Sequence, residues 1–194
     1  MARSLRLFQL LAAFLLILAL CAACAPASEE LFPLESYQQP DGLFELSIPK
    51  GWLIESSADG TVFILTPPNY SGSETELRVL IFLSSTNTID TGEHVQEANQ
   101  LFQPFLEKYL DDSYEVINQG ETKVAKVPAL LMDFAKPYEN TFLTGRLVMV
   151  AVPGYALAFL GSAERGTWDA FLPTFRAMLA DFHLMNAAES QSYP

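Results

Sequence analysis

The sequence predicts an α+β fold, an antiparallel β-sheet packed with two main helices. Three observations carry that expectation. Short segments rich in Val, Ile, Leu and Phe are separated by tight-turn chemistry such as Asp59-Gly60 and Pro153-Gly154, the pattern of antiparallel hairpins. Two longer stretches, one mid-chain and one near the C-terminus, repeat their apolar residues at helical spacing. The chain, at 194 residues of which 50% are hydrophobic, is long enough to bury one sizeable core.

The first element is an export segment. Arg3 and Arg6 form a basic start, Leu7 to Leu20 is hydrophobic throughout apart from Gln9, and the small residues Ala22 and Ala23 follow. That order is the layout of a signal peptide. Leu7 to Ala23 supplies 17 residues with no basic stop behind them, short of the ~20 apolar residues a spanning helix needs, so removal is expected rather than retention as a membrane helix.

The only two cysteines of the chain, Cys21 and Cys24, stand at the end of this segment. Leu20-Cys-Ala-Ala-Cys24 resembles a bacterial lipoprotein lipobox, in which a cysteine after two small residues receives a diacylglycerol on its sulfur and becomes the mature N-terminus. The resemblance implies cleavage after Ala23 and lipidation of Cys24. Cys21 departs from it, standing where that family usually has leucine. The alternative is cleavage after Ala27 by ordinary signal peptidase at Ala25-Pro-Ala27, which would release a protein without cysteine. Either cut removes the paired-thiol reading. A redox Cys-x-x-Cys needs a folded strand-to-helix setting, and a zinc site needs further ligands, whereas the rest of the chain offers only His94 and His183.

Removal of residues 1–23 takes away Arg3 and Arg6, leaving 171 residues with 9 Lys and Arg against 23 Asp and Glu, a net charge of −14. Nucleic-acid binding rests on basic residues neutralising phosphates and is excluded as a function class. Attachment to an anionic membrane falls to the lipid alone. The acidity serves solubility, with attraction of cations or of a basic partner as the alternative. No cofactor is expected. The expected organisation is a signal peptide at 1–23, a flexible tether at 24–37 rich in Pro, Ala, Ser and Glu, a folded domain at 38–185, and a polar tail at 186–194.

Within the domain, Leu43 to Ile48 alternates apolar and polar residues and ends at Pro49-Lys-Gly51. Trp52 to Ser56 and Thr61 to Thr66 flank the Asp59-Gly60 hairpin signal. Leu77 to Leu83 is apolar enough for a central strand, and the first half reads as a meander. Gly92 to Leu110 is the first predicted helix, with Val95, Ala98, Leu101, Phe102, Phe105, Leu106 and Tyr109 on one stripe and a kink at Pro104. Tyr114 to Gly120, Ala129 to Ala135, Phe142 to Val152 and Tyr155 to Ser162 resume the strands, with turns at 136–140 and 153–154. The second helix places Trp168, Phe171, Leu172, Phe175, Met178, Leu179 and Phe182 on one face, with Thr167 as its N-cap.

The run Phe44-x-Leu46-x-Ile48-Pro49-x-Gly51-Trp52, a mid-chain helix, Ala129-Leu-Leu-Met-Asp133, Gly145 to Val152, Tyr155 to Ala163 and a last helix closing on Asp181-Phe182 resembles the PsbP-like superfamily. That superfamily includes the photosystem II subunit PsbP, a nuclear Ran-binding protein and DcrB-type bacterial lipoproteins. The resemblance spans roughly residues 36–184 and implies a PsbP-like α/β sandwich. It also implies non-catalytic work, binding or stabilising a protein complex outside the membrane, sometimes with bound metal. Its motifs are structural and carry over no ligand set.

Few residues invite chemistry. Gly161-Ser162-Ala163 runs into Glu164-Arg165, which breaks a nucleophile elbow, and His94 and His183 lie at helix ends far apart in sequence. Asp111, Asp112 and Glu115 form the one compact carboxylate group, read as a solvated turn before a calcium site. Asn69-Tyr-Ser71 matches a glycosylation sequon by chance. Arg146, inside an apolar strand, is expected to face outward rather than to ligate an anion. Tyr70, Tyr138 and Tyr155, with Trp52, stand in or beside turns as candidate interface aromatics, against the alternative that each folds back over the core edge. The expectation is therefore a lipid-anchored, extracytoplasmic binding or accessory protein. An envelope hydrolase and a solute- or metal-binding lipoprotein are the alternatives.

Overall fold

The computed structural model describes residues 32–85, 107, 109–110, 113–152 and 155–185. Ten strands and one complete helix are formed by these residues. They are β1 (Leu34–Gln38), β2 (Phe44–Pro49), β3 (Leu53–Ser56), β4 (Val62–Thr66), β5 (Arg78–Ser85), β6 (Glu115–Val124), β7 (Val127–Tyr138), β8 (Thr141–Val152), β9 (Tyr155–Glu164), α1 (Arg165–Ala180) and β10 (His183–Leu184). All pairings are antiparallel, in a seven-stranded sheet of order β3-β4-β5-β9-β8-β7-β6 and a three-stranded sheet of order β1-β2-β10.

The antiparallel α+β architecture agrees with the expectation, with differences that have physical reasons. A single meander through the first half does not form. Pro49, which has no N–H to donate, and Gly51, at φ +78°, turn the chain between β2 and β3, and β2 joins the small sheet. The central strand β5 pairs with β9 across a long chain separation rather than with β6. The last residues of the expected 24–37 tether are structured instead, because Leu34–Gln38 adds to the edge of β2. The Pro, Ser and Glu content of this stretch reads as linker, while Leu34 and Tyr37 pack against the core and hold the strand in place. Thr167 is not the N-cap: β9 continues to Glu164 and α1 starts directly after it. The Glu164 carboxylate makes no cap bond and accepts instead from Thr141 Oγ1 at 2.9 Å. His183 lies in β10, not in a helix. The predicted helix at 92–110 and its Pro104 lie outside the described residues except for Glu107, Tyr109 and Leu110, of which Glu107 and Tyr109 are helical. Hence, among the described residues, one complete helix accompanies the sheets.

α1 forms because its aromatic stripe has a surface to cover. Trp168, Phe171, Phe175, Met178 and Leu179 are buried against the large sheet and β2. Pro173 removes one hydrogen bond inside this helix; burial of the stripe outweighs that loss. Gly161 lets the helix approach: a Cβ there would stand 2.6 Å from the Trp168 ring. The opposite face of the large sheet carries a second cluster, Leu80, Phe82, Met132, Phe134, Leu147, Met149 and Leu160, with Tyr109, Leu110 and Tyr114 packed on it.

Candidate functional surface

The strand order leaves β6 at one edge of the large sheet. It is ten residues long, pairs with β7 on one side, and has no strand on the other among the described residues. Glu115 to Glu121 are exposed throughout. Its composition explains this, since Asn, Gln, Gly, Glu and Lys give a strand held by the ladder to β7 rather than by a buried face. The pairing skips Ile117 between Val116 and Asn118, a β-bulge. At that bulge stand two exposed aliphatic side chains, Val116 at 47% and Ile117 at 59% exposure.

Behind this edge runs a polar row. Asn118, Asp133 and Arg146 are cross-strand partners on β6, β7 and β8. Arg146 donates from Nε to Asp133 Oδ1 at 2.6 Å and from Nη2 to Oδ2 at 2.9 Å, while Asn118 Nδ2 donates to Oδ2 at 3.3 Å. The Arg146 side chain is only 11% exposed. The outward-facing arginine expected from the sequence is thus a largely covered fork, paired to a carboxylate in bidentate geometry.

The predicted interface aromatics do not come together. Tyr70, in the loop after β4, and Tyr138, at the end of β7, lie at one end of the sheet and are half-buried. Tyr155 opens β9 at the other end and packs against the main core. Trp52 is buried, stacked on Phe171 at 5.2 Å between ring centroids. An aromatic the sequence reading missed, Phe142, is 48% exposed beneath the Arg165 guanidinium, 5.9 Å from its ring centre. Its place directly after the turn between β7 and β8, where a strand begins uncovered, was the available signal. Ser71 is committed to Glu76, donating to that carboxylate from N and Oγ at 2.6 Å each and holding it below the usual range. Ser162 is buried within β9. Ala23, Cys24, His94, Asp111 and Asp112 lie outside the described residues, and Glu115 is an exposed residue of β6. Among the described residues no group of three or more His, Cys, Asp or Glu gathers as metal ligands.

No family model matches the chain, and no curated protein matches it. Solved structures do match. Cyanobacterial PsbP (CyanoP) from Synechocystis sp. PCC 6803 superposes with a TM-score of 0.59 at 14% identity, over 82% of this chain and 97% of that one. The fold is PsbP-like. LpqN, involved in cell envelope biogenesis of Mycobacterium tuberculosis, gives a TM-score of 0.58 at 13% identity, over 79% of this chain and 91% of its own. The Saccharomyces cerevisiae Ran-binding protein Mog1p gives 0.58 at 10% identity, over 81% and 98%. At such identities the likeness concerns the PsbP-like fold alone.

Proposed function

We propose that this chain is a non-catalytic binding or accessory protein of the cell envelope, anchored by lipid on Cys24, that holds a protein partner through the free edge of β6. The observation that carries the partner reading is the edge itself. A ten-residue strand with one side unpaired among the described residues offers main-chain donors and acceptors to an extended segment of another chain. Val116 and Ile117 add an apolar contact, while Glu115, Glu121, Lys123 and the bulge guard the edge against indiscriminate pairing.

The fold supports the reading without assigning the partner, since PsbP-like structures include a Ran-binding protein and a protein of envelope biogenesis. The anchor reading rests on Ala22-Ala23-Cys24 behind an export segment. Strand addition needs no catalytic group, and the strong acidity suits a partner with a basic docking segment.

Two measurements test it. Mass spectrometry of the mature N-terminus should give diacylated Cys24; an unmodified chain starting at Ser28 would exclude the anchor. Affinity capture on the lipidated chain should recover a partner that is lost from a Val116→Lys, Ile117→Lys variant of unchanged melting temperature. Retention of that partner by the variant would exclude the edge as its site.

A further inference from the structure

At the other edge of the large sheet a cleft of about 270 Å³ opens between the β1–β2 turn and the β3–β4 hairpin. Tyr37 contributes from β1, Gln39, Pro40 and Asp41 from the turn, Ile54 and Ser56 from β3, with Gly60 and Phe63 beside them. Drug-sized ligands occupy pockets of about 300 Å³ and more, so this one suits a smaller solute.

One of its residues is built in an unusual way. Gln39 is a polar side chain only 2% exposed, and both ends of its amide are used. Oε1 accepts from the Leu43 N–H at 3.0 Å, and Nε2 donates to Asp41 Oδ2 at 2.8 Å. A buried amide therefore fixes the orientation of an exposed carboxylate at the cleft. Asp41 Oδ1 carries no hydrogen bond among the described residues, and neither do the hydroxyls of Tyr37 and Ser56. The apolar side chains open to the cleft are the exposed Pro40 and the half-buried Ile54, with the buried Phe63 beside them.

We propose that this cleft binds a small, uncharged, hydroxyl-rich solute of monosaccharide size. Such a molecule has hydroxyls that donate to Asp41 Oδ1 and exchange hydrogen bonds with the hydroxyls of Tyr37 and Ser56, and a C–H face that covers apolar side chains. An anionic solute is repelled by Asp41. A simple ammonium would meet the carboxylate but leave the donor protons of both hydroxyls without an acceptor on it. The site is independent of the partner edge, because β3 and β6 end the seven-stranded sheet on opposite sides.

The test is saturation-transfer NMR on the full-length chain in phosphatidylcholine nanodiscs. Glucose, galactose, N-acetylglucosamine and methylammonium are the probes. The expected result is a saturable signal from at least one sugar, weakened tenfold or more by Asp41→Ala and by Ser56→Ala at unchanged melting temperature. Three results would overturn the proposal: no saturable sugar signal, a signal unmoved by both variants, or saturable binding of methylammonium alone.

Discussion

Arg146 and Asp133 face each other on β8 and β7 and meet through two parallel hydrogen bonds, Nε to Oδ1 at 2.6 Å and Nη2 to Oδ2 at 2.9 Å. The pair is mostly covered, with side-chain exposures of 11% and 21%. Charged hydrogen bonds of this kind contribute ~1.5–3 kcal/mol each, and removing one partner leaves the other charge uncompensated. Arg146→Ala should therefore lower stability by about 2–4 kcal/mol, and Asp133→Ala by a similar amount. The double variant should fall well short of the sum. A double-mutant cycle in urea checks this, and strict additivity would show that the two side chains do not stabilise one another.

Gly161 is the second point of leverage. Its missing side chain lets Trp168 and Phe175 lie on the sheet, and a Cβ would stand 2.6 Å from Trp168 Cη2 and 3.0 Å from Phe175. Overpacking of a filled core costs about 1–3 kcal/mol. Gly161→Ala should lower the urea midpoint accordingly, whereas Gly166→Ala, with open space around it, should not lower it. Equal responses at the two glycines would contradict the close approach of α1.

Asp59 governs the hairpin between β3 and β4. Its Oδ1 accepts from Ser57 Oγ, Thr61 Oγ1 and the Thr61 N–H, which draws its pKa down from 3.8 to about 2. The folded chain thus binds this proton less readily than the unfolded one. The contribution is present above about pH 3.8 and is lost as pH falls toward 2. Carboxyl-detected NMR should place the Asp59 midpoint near 2 and Ser57→Ala should raise it; an ordinary midpoint would mean the turn is not held by this carboxylate.

Much of this architecture is legible in the residues. Alternation in Leu43–Ile48, the Asp59-Gly60 turn and the Trp168–Leu179 stripe each declare an element, because local periodicity and turn chemistry decide it. What pairs with what is not local. Nothing within Leu77–Leu83 announces that β5 lies against β9, and nothing in Leu34–Gln38 announces an edge strand, since both follow from surfaces supplied elsewhere in the chain. The proposed partner surface is hidden for the same reason. Val116 and Ile117 look like ordinary strand residues until the strand order leaves β6, among the described residues, without a neighbour on one side. Gln39 carries no local sign of burial until the fold covers it behind Asp41. Tyrosines beside turns suggest contact, yet tertiary packing draws Tyr155 into the core margin.

The edge of β6 also predicts its own variants. Val116→Lys and Ile117→Lys sit on exposed side chains, so stability should change by no more than about 0.5 kcal/mol while partner binding is lost. A large fall in melting temperature would show that these side chains are packed in the folded chain.

The most direct measurement places a photo-crosslinking residue at position 117 of the full-length chain in the cells that make it, with Leu53, an exposed aliphatic on the opposite edge strand β3, as the control position. A discrete protein adduct is expected from position 117, absent from position 53 and abolished by Val116→Lys. No adduct at 117, or the same adducts from both positions, would contradict the edge of β6 as the partner site.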